Sequence, residues 1–189
     1  MISTHSNPDR SPHLNPMSRF VFLSTVICLT LSFQVGAQLL FFGRKQPVKT
    51  VSAEQVHKLL DNQTSSEAKA VAETNEKPRA EFVLVDVRSS KEQDVSIIPG
   101  AITVEQFEKD RKDHLGKTVI TYCTIGVRSE HYARKLLTSG QNALNFKGSI
   151  LGWCDAKYPL VTPDGKSTQR VHTYSARFSK VPAEYTAVY

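Results

Sequence analysis

The feature that most constrains the fold is an uninterrupted apolar run that ends in an aspartate, Phe82-Val83-Leu84-Val85-Asp86. A strand with one face in water alternates apolar and polar residues, whereas a strand covered on both faces is apolar throughout. Further short strands are predicted at residues 118–122 and 143–146, and helical patterns separate them. Strands that alternate with helices in this way predict an α/β domain with a mostly parallel sheet.

The size and charge of the chain limit its organisation and its partners. A length of 189 residues is enough for one compact domain with two extra segments. The formal net charge of +6 arises from basic residues that are scattered along the chain, so we predict no nucleic-acid partner. A mildly basic surface still favours the approach of small anions.

The N-terminal part of the chain indicates export. A polar, proline-rich leader precedes an apolar block at residues 20–33, and small residues follow up to Ala37. This order is typical of a secretory signal, so residues 1–37 are predicted to be a polar leader plus a signal peptide that is cleaved after Ala37. A membrane anchor is the second interpretation, because residues 20–42 carry no charge and are long enough to span a bilayer, and a buried core helix is the third. The first two interpretations predict that the folded domain lies outside the cytoplasm, periplasmic or secreted.

Three further segments can be interpreted from their patterns. Ser52 and Gln55 have the spacing of a capping box and predict a helix over residues 53–60. Residues 61–80 are polar and are predicted to form a surface insertion with one short helical turn. Residues 162–189 are a polar and aromatic C-terminal tail, for which two interpretations stay open: the tail packs across the domain surface, or it is mobile.

Cys123 lies where the predicted strand at residues 118–122 ends and a helix begins. A short loop at such a place directs backbone N–H groups toward one point, and the helix N-terminus adds about half a positive charge. Arg128 adds a full charge, so the pKa of the Cys123 thiol is expected to fall below its free value of about 8.5. A buried structural cysteine is the alternative interpretation, against which Gly126 and Arg128 argue.

Five short motifs follow one another along the chain. They are Leu84-Val85-Asp86-Val87-Arg88 with Glu92, Ile98-Pro99-Gly100-Ala101, Cys123-Thr124-Ile125-Gly126-Val127-Arg128-Ser129, Gly148-Ser149-Ile150-Leu151-Gly152-Trp153 and Tyr158-Pro159-Leu160. In this order and spacing the motifs resemble the rhodanese family over residues 48–161. The resemblance implies a single rhodanese-like domain with a five-stranded, mostly parallel sheet flanked by helices on both faces.

The resemblance also implies a role for each residue of the cysteine loop. Cys123 is the catalytic residue and carries a persulfide. The residues implied to bind substrate are Thr124, Ile125, Gly126, Val127, Arg128 and Ser129. Asp86, Arg88 and Glu92 form the supporting framework, with Glu92 as the acidic partner of Arg88. This chemistry needs no metal and no organic cofactor. Ile97 is a departure, since a histidine usually stands there, and it indicates different local packing.

The expected reaction is therefore the transfer of sulfane sulfur. The Cys123 thiolate attacks the outer sulfur of a small sulfur anion such as thiosulfate, and a thiophilic acceptor takes the sulfur in a second step. Cyanide or a thiol, such as that of a thioredoxin-like protein, is the expected acceptor. Arg128 and the loop amides are expected to stabilise the leaving anion.

Three alternatives stay open. A cysteine phosphatase or arsenate reductase uses a similar loop, but five residues separate its cysteine from its arginine, whereas four separate Cys123 from Arg128. A non-catalytic binding module is the second alternative, although such modules commonly lose the cysteine. In the third, Cys123 forms a disulfide with Cys154 that masks the site in an oxidising compartment. The three cysteines of the chain have no spacing that is typical of a metal site.

Overall fold

The structure is a computed structural model that describes residues 47–74 and 80–189. The leader, the signal peptide and the anchor that were predicted within residues 1–42 lie outside the described residues. In the part of the chain that is described, no helix combines the length and the apolar composition needed to cross a bilayer.

Five parallel strands form the central sheet of the described residues. The strands are β1 (Thr50–Val51), β2 (Phe82–Asp86), β3 (Ile102–Thr103), β4 (Thr118–Tyr122) and β5 (Ala143–Phe146). Their spatial order is β1-β5-β4-β2-β3, and β2 pairs with β4 along its whole length. The prediction of a five-stranded parallel sheet is confirmed, and the apolar run at residues 82–86 is one of its inner strands.

Helices connect the strands and cover both faces of the sheet. Among the described residues they are α1 (Ala53–Thr74), α2 (Ser90–Gln93), α3 (Val104–Lys109), α4 (Val127–Thr138) and α5 (Ser149–Asp155). Successive side chains of a strand point to opposite faces. Leu84 therefore lies in one buried cluster with Val56 of α1 and Trp153 of α5, whereas Val85 lies in a second cluster with Leu136 of α4.

Helix α1 is longer than the sequence predicted. Its capping box is confirmed, since the Ser52 N–H donates to Gln55 Oε1 at 2.8 Å and the Gln55 N–H donates to Ser52 Oγ at 3.3 Å. The predicted end at residue 60 is wrong, because the helix runs for 22 residues into the stretch that was expected to be a polar insertion. The added residues contain no glycine or proline, and Gln63 Nε2 donates to Glu67 Oε1 one turn later at 3.1 Å.

Residues 162–189 are folded onto the domain. β6 (Leu160–Val161) pairs antiparallel with β7 (Ser167–Thr168), and β8 (Arg170–His172) pairs in parallel with β9 (Thr186–Val188). Val171 of β8 is fully buried in the cluster that contains Leu84 and Trp153. The C-terminal segment therefore packs across the domain and brings its own residues to the vicinity of the cysteine loop.

Candidate active site

Cys123 lies directly after β4, at the carboxyl end of the central sheet. The residue is buried, with 1% of its surface exposed, and its backbone N–H donates to Ser149 Oγ at 3.0 Å. A short loop then leads through Gly126 into α4. Ligands of parallel α/β sheets bind outside the carboxyl ends of the strands, so Cys123 stands where a ligand site is expected.

The sulfur of Cys123 faces hydrogen-bonding groups of three residues, Gly126, Ser129 and Ser149, which we call the sulfur cradle. The Gly126 N–H donates to Sγ at 3.1 Å, and the Ser129 and Ser149 hydroxyl oxygens lie 3.6 and 3.8 Å from Sγ. Burial by itself raises the pKa of the thiol. Hydrogen bonds from Ser129, Ile125 and Gly126 outweigh burial, so the pKa of Cys123 is lowered overall. The cradle thus favours the thiolate, which is the nucleophilic form of cysteine.

Gly126 gives the loop a shape that another residue would adopt only with strain. Its φ of 90° lies in the left-handed region, and a β-carbon at this position would collide with the backbone carbonyl of Lys147. The Gly126 carbonyl accepts a hydrogen bond from Asn145 Nδ2 at 3.1 Å. A side chain of β5 therefore holds the loop in the conformation that directs the Gly126 N–H to the sulfur.

Arg128 is bound to Glu92. Two N–H groups of the guanidinium donate to the two carboxylate oxygens of Glu92 at 2.7 and 2.8 Å, and one nitrogen also donates to Thr124 Oγ1 at 2.9 Å. The expectation that Glu92 is the partner of Arg88 is wrong, because Arg88 is paired with Asp86. The planar guanidinium of Arg128 matches the carboxylate of Glu92 with two parallel hydrogen bonds, while Arg88 is already engaged by Asp86.

The carboxylate of Glu92 stays ionised in this position. Burial raises its pKa, but hydrogen bonds from Arg128 and Ser89 outweigh burial and lower the pKa of Glu92 to about 2. Glu92 also completes the capping box of α2, since the Ser89 N–H donates to Glu92 Oε2 at 3.0 Å. The positive charge of Arg128 is therefore balanced by a fixed negative charge.

Asp86 and Arg88 form a buried ion pair at the end of β2. Arg88 Nη2 donates to Asp86 Oδ2 at 2.7 Å and to the Ser96 carbonyl at 2.6 Å. The Tyr122 hydroxyl donates to the same Asp86 oxygen at 2.7 Å. Because Tyr122 immediately precedes Cys123, this network fixes the end of the strand that carries the cysteine. The structure places both residues in the framework that supports the loop.

Beside Gly126 and Arg128, the four other loop residues that were predicted to bind substrate divide into two groups. Thr124 and Ser129 are buried, and they bond to Glu92 and to the surroundings of the sulfur. Ile125 and Val127 instead expose 41% and 56% of their surface. The loop therefore presents polar groups to the sulfur and apolar side chains to the solvent.

Two residues of the site were not among those predicted from the sequence. Asn145 accepts the Ser129 hydroxyl at 2.7 Å and donates to the Gly126 carbonyl, and Ser149 accepts the Cys123 N–H. A signal for Asn145 does exist, because an amide within a buried strand must find hydrogen-bond partners. Ser149 has a φ of 54°, which no sequence pattern predicts for a serine.

Cys154 and Cys123 are both free, buried thiols, so the two described cysteines form no disulfide in the structure. Burial and the nearby charge of Asp155 raise the pKa of Cys154 to about 12. A thiol with such a pKa is rarely ionised near neutral pH and packs as a small apolar side chain.

The chain is similar in part to known proteins. Residues 66–156 match the model of the family described as the rhodanese-like domain. The tRNA uridine(34) hydroxylase of Cytophaga hutchinsonii is 38% identical over 84 residues, which are 40% of this chain and 27% of that protein. The chain therefore spans about a quarter of the length of the curated relative that it matches.

Two solved structures are similar to parts of the chain. The thiosulfate sulfurtransferase from Pseudomonas aeruginosa has a TM-score of 0.47 at 24% identity, covering 63% of this chain and 21% of that one. The rhodanese-like domain protein from Staphylococcus aureus has a TM-score of 0.39 at 23% identity, covering 56% of this chain and 91% of that one.

The fold and the site define a class of α/β proteins that hold a cysteine at the point where a parallel strand leads into a helix. Within that class, the match at residues 66–156 shows that this chain carries a rhodanese-like domain.

Proposed function

We propose that the protein is a sulfurtransferase that carries sulfane sulfur as a persulfide on Cys123. The observation that carries the proposal is the position of Sγ, which accepts the Gly126 N–H at 3.1 Å before the first turn of a 12-residue helix. Backbone N–H groups and the positive end of the helix stabilise an anionic sulfur without a metal. The lowered pKa of Cys123 agrees with such a role.

The proposed reaction has two steps. In the first, the Cys123 thiolate attacks the outer sulfur of a thiosulfate-like donor, the S–S bond of the donor breaks, and sulfite leaves with the electron pair. In the second, a thiophilic acceptor, cyanide or a thiol such as that of a thioredoxin-like protein, attacks the outer sulfur of the persulfide and regenerates the thiolate. The two steps form a ping-pong mechanism. Neither step needs an external oxidant or reductant. Arg128 and the cradle donors stabilise the anions on both sides of the transfer.

Thiocyanate formation from thiosulfate and cyanide tests this proposal on the full chain. We expect thiocyanate with the native protein and with Cys154→Ser, and none with Cys123→Ser. Incubation with thiosulfate alone is expected to add the mass of one sulfur atom to the peptide that contains Cys123. Thiocyanate formation that survives Cys123→Ser would refute the mechanism.

Hydrolysis of p-nitrophenyl phosphate, measured in parallel, distinguishes a cysteine phosphatase. Four residues lie between Cys123 and Arg128, and this short loop supports a site for a sulfur atom over one for a tetrahedral oxyanion. Activity in neither assay, before and after reduction of the protein, would favour a non-catalytic binding module. The tRNA activity in the name of the Cytophaga hutchinsonii relative is not proposed for this chain, because the shared segment is 27% of that protein.

We also propose that the protein is exported, periplasmic or secreted, or anchored through residues 20–42. The support is the sequence pattern of a charged residue, an apolar block and small residues before Ala37. Mass spectrometry of the N-terminus after cell fractionation tests the proposal. Cleavage after Ala37 indicates a released domain, an intact N-terminus in the membrane fraction indicates an anchor, and an intact N-terminus in the cytosol would refute export.

A further inference from the structure

Tyr174 brings an aromatic ring from the C-terminal segment to the arginine of the cysteine loop. The guanidinium carbon of Arg128 lies 5.2 Å from the centroid of the Tyr174 ring, within the range of a cation–π contact. Tyr174 belongs to the segment beyond residue 156, outside the part of the chain that matches the rhodanese-like domain. The ring therefore reaches the site from outside the matched segment.

The backbone of Tyr174 is held in an uncommon conformation. Its φ of 70° lies in the left-handed region, which bulky residues rarely adopt. The Tyr174 N–H donates to His172 Nδ1 at 3.1 Å, and the N–H of the buried Thr173 donates to the Val188 carbonyl at 2.8 Å. Tyr174 nevertheless exposes 61% of its surface, so burial of the ring does not account for this arrangement. Its ring is held where it meets Arg128 and solvent.

The surroundings of Arg128 show which ligands the ring would accept. Glu92 takes two N–H groups of the guanidinium, and Tyr174 lies over the guanidinium. The positive charge of Arg128, which a small dianion would need, is thus balanced by Glu92 and partly covered by the Tyr174 ring. The loop and the C-terminal segment also expose apolar or aromatic side chains, at Ile125, Val127 and Tyr174. A donor that carries one charge and an apolar group fits these neighbours better than a compact dianion does.

We infer that Tyr174 selects the sulfur donor, favouring a monoanionic donor with an aromatic group over thiosulfate. The inference rests on the proposed sulfurtransferase function. With an aryl thiosulfonate, Cys123 Sγ forms a bond to the outer sulfur, the S–S bond of the donor breaks, and the aryl sulfinate leaves with the electron pair. The exposed ring of Tyr174 stacks on the aromatic group of the donor while Arg128 stays paired with Glu92.

Three donors measured with the full chain and saturating cyanide test the inference. Benzenethiosulfonate and methanethiosulfonate have the same charge and differ in the ring, and thiosulfate adds a second charge. We expect the native protein to prefer benzenethiosulfonate. Tyr174→Ala should reduce the ratio of kcat/KM for benzenethiosulfonate to that for methanethiosulfonate by about two- to tenfold, mainly through KM. It should lower the KM for thiosulfate by about threefold, because the guanidinium is uncovered.

Two further variants separate the ring from a general effect on folding. Tyr174→Phe keeps the ring and should keep the native preferences. Tyr189→Ala removes another tyrosine of the same segment, and this tyrosine is 65% exposed. The variant should leave the ratios of kcat/KM among the three donors unchanged. The inference would be overturned if Tyr174→Ala changed kcat/KM equally for all three donors, or if it left the ratio of kcat/KM for benzenethiosulfonate to that for methanethiosulfonate unchanged. Either result would leave the sulfurtransferase function in place. Failure of every donor to form a persulfide on native Cys123 would instead overturn the function itself.

Discussion

Asn145 and Ser129 are joined by a hydrogen bond of 2.7 Å, in which the serine hydroxyl donates to the amide oxygen. A hydroxyl has one proton, so Ser129 can donate to the Cys123 sulfur, 3.6 Å away, only when it releases Asn145. The amide nitrogen of Asn145 holds the Gly126 carbonyl at the same time. Asn145 therefore connects two of the three members of the sulfur cradle.

Replacing Ser129 with alanine should raise the pKa of Cys123. The substitution removes a hydroxyl that favours the thiolate and leaves the burial of the sulfur unchanged. Absorbance of the thiolate during a pH titration measures the pKa, and the rate of persulfide formation at pH 6 should fall by about tenfold. Ser139→Ala, at the other end of α4, is the matched control and should titrate like the native protein. An unchanged pKa in Ser129→Ala would show that the backbone N–H groups suffice.

The reactivity of Cys123 should rise with pH and reach half its maximum at a lower pH than that of an ordinary, unperturbed cysteine. The sign follows from the lowered pKa of Cys123: the reactive thiolate persists to lower pH and is lost only as the pH falls through that lowered value. Alkylation by iodoacetamide, followed by mass spectrometry of the Cys123 peptide, measures the profile. The Cys154 peptide of the same samples is the internal control, since its pKa is about 12. A midpoint above that of a free cysteine would contradict the cradle as described.

Gly126→Ala should disrupt the loop more than a glycine substitution with similar backbone angles elsewhere. Both Gly126 and Gly140 have a positive φ, of 90° and 81°, but only at Gly126 would a β-carbon meet another backbone, that of Lys147. Gly140→Ala should cost about 1–2 kcal/mol in free energy of unfolding, the strain of a left-handed alanine. Gly126→Ala should cost more and should reduce persulfide formation at least about a hundredfold, because the cradle moves. Equal losses in the two variants would mean that the clash relaxes without consequence.

Glu92→Gln should remove a pH-dependent part of the stability. Since the folded-state pKa of Glu92 is about 2, below its ordinary value, its stabilisation is present above pH 4.5 and is lost as the pH falls toward 2. The shift corresponds to about 3 kcal/mol at most. Urea unfolding measures the free energy of unfolding at pH 6 and at pH 3. The difference between the two values should be smaller for Glu92→Gln than for the native protein. Glu130→Gln breaks an exposed pair with Arg134 and serves as the control. If the free energy of unfolding of Glu92→Gln fell between pH 6 and pH 3 by as much as that of the native protein, other carboxylates would account for the loss of stability in acid.

The sheet could be predicted from the sequence because its signals are local. The strand at residues 82–86 is apolar without interruption, and β5 has the predicted bounds Ala143–Phe146. Helix ends were less predictable. The helix predicted over residues 53–60 is the example, because α1 runs to Thr74. Residues 61–66 are mostly weak helix formers, but residues 67–73 are alanine, glutamate, lysine and one valine, and helix α1 continues through both stretches.

Site residues that are contiguous in the chain could be predicted from the sequence, whereas site residues that are brought together by packing could not. The loop from Cys123 to Ser129 is contiguous, so its role could be inferred from its motif. The partner of Arg128 comes from α2, 36 residues earlier, and the choice between Arg88 and Arg128 for Glu92 depends on geometry. Tyr174 could not be assigned at all, because its position depends on the pairing of β8 with β9.

The pairing of β8 with β9 gives the protein two parts that can vary separately. The two strands form a sheet of their own, apart from the five strands that lead to the cysteine loop. Substitutions at exposed positions of this ribbon are therefore expected to leave the central sheet intact while they alter what lies beside Arg128, whereas Val171 of β8 belongs to the buried core. A mutant library confined to the exposed residues of this segment, Tyr174 among them, is the direct way to redirect the protein in the laboratory.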